Sequence, residues 1–199
     1  MNRDNMSRAI PVILIVIIVV IAIAAIVSIG RSIFGGGDAP TEEIDRGQSA
    51  LTSSDISRSV RLTDRGPIVA DENFRSYQIT VSPTNRTMTT YEGYLENTIQ
   101  TKTYENNTPA YEEFVYALSR AGMMTGDALE GDADDTRGVC ADGHVYEYEV
   151  LQSERTIKRL WTTSCRKIDG SLQGDEDAIQ DLFEDQIPDS RDLIRNLKR

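Results

Sequence analysis

The sequence predicts an α+β fold on a membrane stalk. An N-terminal transmembrane helix precedes one domain, with an antiparallel sheet of about five to seven strands packed by two main helices. Three observations carry this. A long uncharged apolar run opens the chain. Short segments of period-two alternation, separated by turn residues, fill its middle. Apolar residues at helical spacing recur over Pro109–Ala121 and Asp175–Gln186.

The apolar run covers the twenty residues Ile10–Ile29. At about 1.5 Å of rise per residue it spans roughly 30 Å, the thickness of a bilayer's hydrocarbon core. Pro11 suits the start of a helix, where a missing N–H costs little. Arg3 and Arg8 resemble the n-region of a cleavable leader, and Ala22-Ile23-Ala24 resembles a cleavage site. The apolar regions of such leaders run only roughly 7–15 residues, so an uncleaved signal-anchor over 10–32 is the expectation. Arg3, Arg8 and the terminal amine precede the span against Asp4, while only Arg31 follows it before Arg46. That asymmetry places residues 1–9 in the cytoplasm and the remainder outside. The expected partner of residues 10–32 is therefore the lipid bilayer.

The formal net charge is −11. Residues 1–31 hold three arginines against one aspartate, so the rest carries −13. A phosphate backbone needs a basic footprint, which argues against nucleic acid. The same charge opposes docking flat on an anionic leaflet. Solubility is its plainest consequence; a basic partner or divalent cations are the sharper ones. Residues 33–57 begin with Gly35-Gly36-Gly37 and are rich in Ser, Thr and Asp, so they read as a flexible tether. About twenty such residues reach roughly 25 Å. A short helix near Ile44–Leu51 is the alternative there. Residues 58–199 form the exocytoplasmic domain, a length suited to one core.

Within it, Ser59–Thr63 reads as a strand and Gly66-Pro67 as a turn before the apolar run Ile68-Val69-Ala70. Phe74–Ser82, Arg86–Tyr94 and Leu95–Tyr104 read as three consecutive strands, an antiparallel meander. Thr108 is the expected cap of a helix with Pro109 in its first turn. Tyr111, Phe114, Val115 and Leu118 make its core stripe, and Gly122 stops it. Asp175 caps the second helix, striped by Ala178, Ile179, Leu182 and Phe183 and ended by Pro188. Ser190–Leu197 adds a last short helix.

Gly143–Leu151 and Arg155–Ser164 read as a hairpin about Gln152-Ser153, so facing residue numbers sum to 305. Tyr148 then faces Ile157, Tyr146 faces Arg159 and His144 faces Trp161. Cys140 and Cys165, the only two cysteines, also sum to 305 and fall at the open end. They are expected to form a disulfide, which requires an oxidising compartment.

Catalytic motifs are sparse. His144 is the single histidine, so neither an H-E-x-x-H zinc site nor a histidine ligand set exists, and no cofactor is expected. No nucleophile elbow, P-loop or dinucleotide turn is present. The acidic loop 126–138 holds Asp127, Glu130, Asp132, Asp134 and Asp135, oxygen donors of the kind calcium takes. It lacks the glycine and terminal glutamate of an EF-hand, and a solvated loop is the default. Gly66-Pro67-Ile68-Val69-Ala70, Arg159-Leu160-Trp161-Thr162-Thr163-Ser164-Cys165 and Gln186-Ile187-Pro188-Asp189 resemble stretches of single-pass envelope proteins from ultrasmall bacteria of the Saccharibacteria group. The resemblance covers most of the chain after residue 58 and implies an envelope location without an activity. The leading expectation is a non-enzymatic, tethered exocytoplasmic domain with a structural or protein-interaction role. The alternatives are an envelope hydrolase using carboxylates near His144 and cation binding at 127–135.

Overall fold

Alternation along β1 (Arg58–Arg65) sends Val60 and Leu62 to one side and Arg61 and Thr63 to the other. A computed structural model describes residues 46–94 and 97–197; the segments assigned to the cytoplasm and the membrane, 1–9 and 10–32, lie outside them. Among the described residues no helix is long and apolar enough to cross a membrane.

β1 is followed by β2 (Arg75–Val81), β3 (Asn85–Glu92) and β4 (Asn97–Glu105), each antiparallel to the one before. β5 (Val145–Gln152) then returns to the free side of β1, and β6 (Arg155–Thr163) pairs outside it. The six-stranded order is β4-β3-β2-β1-β5-β6. The apolar face, with Val60, Leu62, Ile79, Val81, Met88, Tyr148 and Val150, is buried with apolar residues of the helices. These are α1 (Arg46–Leu51), α2 (Thr108–Arg120), α3 (Glu176–Glu184) and α4 (Ser190–Leu197). Phe114 of α2 meets Phe183 of α3 edge to face, centroids 5.4 Å apart. Burying each such ring is worth about 1.5–3 kcal/mol.

Two boundaries differ from the sequence reading. Residues 46–51 of the presumed tether form α1, and Leu51 is wholly buried in the core, so the folded unit starts before Arg58. α2 is capped by Asn107, not Thr108: the Asn107 side chain accepts from the Ala110 N–H at 3.0 Å. Asn caps at least as well as Thr, and Thr108-Pro109 then fill the first two helical positions. Beyond the C-cap Ala121, Gly122 adopts φ 79° and the Met123 N–H donates to the Leu118 carbonyl, as a left-handed helix terminator requires.

The β5–β6 hairpin is present, but its register is not the expected one. Tyr148 faces Leu160, Glu147 faces Trp161 and Tyr146 faces Thr162, so facing numbers sum to 308. The turn is Ser153-Glu154, with φ 49° and 66°, the left-handed pair of a type I′ turn, and a bulge at Val150/Leu151 adds one residue more. An odd shift exchanges the faces of one strand relative to the other. Leu160 therefore joins Tyr148, while Glu147 and Trp161 share the opposite side.

Candidate functional site

That opposite side is polar around β5. The Glu147 side chain, 6% exposed, accepts from Thr136 Oγ1 at 2.9 Å and lies 3.4 Å from Arg159 and 3.5 Å from Arg65. Arg159 also donates to Asp134 at 2.6 Å. These contacts fasten the acidic loop to the sheet. Asp135 is taken by Arg137, whose hydrogen bond pulls the carboxyl down to about 2. Asp127, Glu130 and Asp132 are exposed. Among the described residues no group of three or more His, Cys, Asp or Glu side chains is arranged to hold a metal ion.

Cys140 and Cys165 are bonded, with Cα atoms 5.7 Å apart, although the register that suggested the pair is shifted. The ladder ends at Thr163, and Ser164 takes over: its N–H donates to the His144 carbonyl at 3.0 Å and its Oγ accepts from the His144 N–H at 2.8 Å. Cys140 reaches Cys165 across Gly143, where a Cβ would sit 2.4 Å from Ser164 Oγ and 2.9 Å from Cys140 Sγ. Only glycine fits that crossing.

The disulfide thus closes the end of the hairpin at which His144 emerges. Its ring stacks on Tyr146 at 5.9 Å and 9°. Its Nδ1 lies 2.6 Å from Asp64 Oδ1, and the Asp64 side chain is 7% exposed. Asp64 faces Tyr77 across β1–β2 and Tyr146 across β1–β5, so the acid sits between two phenols. Tyr77 donates onward to Glu184 of α3 at 3.4 Å. Burial, then the charges of Asp64 and Glu184, push the Tyr77 hydroxyl above its ordinary range; burial and Asp64 do the same to Tyr146. Burial and Asp181 raise Glu184 in turn. Asp64, Tyr77 and His144 line a cleft of about 370 Å³ together with Asn73, Arg75, Ser76 and the apolar Pro67, Val69 and Leu197.

Chemically, Asp64 fixes the tautomer of His144. With Asp64 ionised, Nδ1–H donates to it, and in the neutral imidazole Nε2 keeps a lone pair. The sequence reading singled out His144 but not Asp64. The signal was present: Asp64 continues the Val60–Leu62 alternation, which puts an acid on the apolar face of β1.

The second feature is β4. It is the outermost strand on its side of the sheet, and eight of its nine residues are exposed, Ile99 among them. Thr101 and Thr103 pair by their hydroxyls with Thr89 and Thr87 of β3. The opposite edge, β6, is bridged at Trp161, whose N–H donates to Ser171 Oγ and whose carbonyl accepts from the Leu172 N–H.

No protein-family model matches the chain, and no curated protein matches it.

Proposed function

We propose that this chain is a membrane-tethered exocytoplasmic domain whose role is to dock a protein of the cell envelope along β4. What supports docking is that strand: an exposed edge of nine residues, which offers its outward backbone groups to an added strand. Charge favours it too. Between Ser76 and Tyr104 the chain has two arginine or lysine and two acidic residues, a neutral stretch in a strongly acidic protein. What supports the exocytoplasmic location is the disulfide, together with the apolar segment and its flanking arginines.

The test is site-specific photocrosslinking in intact cells, with the reactive side chain at Ile99 or Thr101 and, as control, at the exposed Tyr116 of α2. Adducts of defined mass from the β4 positions alone are expected. No adduct at β4, or the same adducts from Tyr116, refutes strand docking. An impermeant maleimide tests location separately: Cys140 and Cys165 should react from outside only after reduction.

A further inference from the structure

We infer that the cleft at Asp64 and His144 binds an alkylammonium group. Three groups of its floor, Asp64, Tyr77 and His144, have their hydrogen-bonding capacity turned one way, and the neighbouring Asn73 and Ser76 side chains can accept as well as donate. Tyr77 directs its hydroxyl proton to Glu184, and His144 directs Nδ1–H to Asp64. With the imidazole neutral, what these lining groups have left to offer is lone pairs: His144 Nε2, the Asp64 carboxylate and the Tyr77 oxygen. A guest that only donates satisfies them, and an ammonium does so with three protons. The charge balance points the same way. Asp64 and Glu184 flank Tyr77, so two carboxyls lie about this one phenol. The one guanidinium of the lining, Arg75, is turned to its own loop: Nη1 donates to the carbonyls of Glu72 and Phe74 at 2.8 and 2.9 Å, and Nη2 lies 3.8 Å from Glu92. Pro67, Val69 and Leu197 form apolar walls along which methylenes can lie. At ~30 Å³ per water, the cleft holds the volume of about a dozen waters, enough for a lysine-sized chain.

This site is on the core side of β1 and β2 and does not depend on the reading of β4. Two sources supply the group, a free diamine and the lysine side chain of a peptide, so both are probes: 1,5-diaminopentane and Nα-acetyl-lysine methylamide. Pentan-1-ol and pentanoate are the neutral and anionic controls. The readout is the ring resonance of His144, the single histidine of the chain, in the full-length protein purified in detergent with a tag free of histidine. A saturable shift with one or both amines and none with the controls is expected. A preference for the diamine identifies a free polyamine-like ligand, and a preference for the lysine amide identifies a peptide side chain. Asp64→Asn should weaken binding at least about tenfold, because it removes the charge that the ammonium meets. Where Asp64→Asn does not fold, Val69→Lys decides: Val69 is 42% exposed, and a lysine there fills the cleft in cis and blocks added amine. A shift with pentanoate as large as with the amines, no saturable shift with either amine, or amine binding unchanged in folded Asp64→Asn or in Val69→Lys overturns the proposal.

Discussion

Replacing both Cys140 and Cys165 by serine should destabilise the domain by about 3.5 kcal/mol. The figure follows from the loop the bond closes. The two cysteines are 25 residues apart, and in the chain-entropy model a cross-link over about that length removes roughly 12 cal/mol/K from the unfolded ensemble. The native state adds a smaller cost, since a serine hydroxyl at position 140 is buried, while the Ser164–His144 hydrogen bonds remain. For a folded unit spanning Ile44–Arg199, at roughly 2–4 °C per kcal/mol, the melting temperature should fall by about 7–14 °C. Urea unfolding followed through Trp161, the only tryptophan and a buried one, reads the same loss as a lower midpoint. The slope should rise slightly, because the uncrosslinked chain exposes more surface when unfolded. A double-serine variant within about 1 kcal/mol of an oxidised wild type whose thiols resist labelling would refute the entropic account.

Two further outcomes follow from burial and charge. Leu51→Ala should cost about 2–5 kcal/mol in urea unfolding, as for other wholly buried leucines, whereas a residue in a free tether would cost nothing measurable. Glu184→Gln should stabilise the protein at neutral pH by up to about 1 kcal/mol, a modest figure because the group is partly exposed and screened. The sign comes from the direction of the shift. Burial, then Asp181, holds the folded-state carboxyl above its unfolded value near 4.5, so wild-type stability increases as pH falls through the raised value toward 4.5. Glutamine removes that slope and still accepts from Tyr77. Stability curves of the two proteins that run parallel between neutral pH and the unfolded value would contradict this assignment.

Much of the fold was legible because its signals are local. Val60–Leu62, Tyr77–Ile79–Val81 and Tyr148–Val150 alternate as half-buried strands must, and Tyr111, Phe114, Val115 and Leu118 recur at helical spacing. The hairpin register was not legible, because two small terms set it. Ser153 and Glu154 accept left-handed φ, which neither side chain advertises as Asn-Gly would, and the Val150/Leu151 bulge inserts one residue without any glycine to mark it. The cysteines still met, because the chain leaves the ladder after Thr163 and the Gly143 crossing absorbs the difference. α1 was legible only as the alternative reading of Ile44–Leu51, for a different reason. Its six residues have no strong pattern of their own, and what holds them is the tertiary burial of Ala50 and Leu51.

The cleft shows what a single strand's alternation can and cannot reveal. Val60, Leu62 and Asp64 share one face, so an acid had to enter the apolar side or mark the end of the core. Which of these held depended on partners distant in sequence: His144 after the disulfide loop and Tyr77 on β2, with Glu184 of α3 behind it. A buried carboxylate persists only where such partners compensate its lost hydration. The disulfide, by closing the hairpin where His144 begins, keeps the histidine beside Asp64, and stability and ligand geometry are therefore linked through the same bond. Reduction should broaden or shift the His144 ring resonance before the domain unfolds. An unchanged resonance in a reduced, folded protein would show that the Ser164–His144 hydrogen bonds alone position the imidazole.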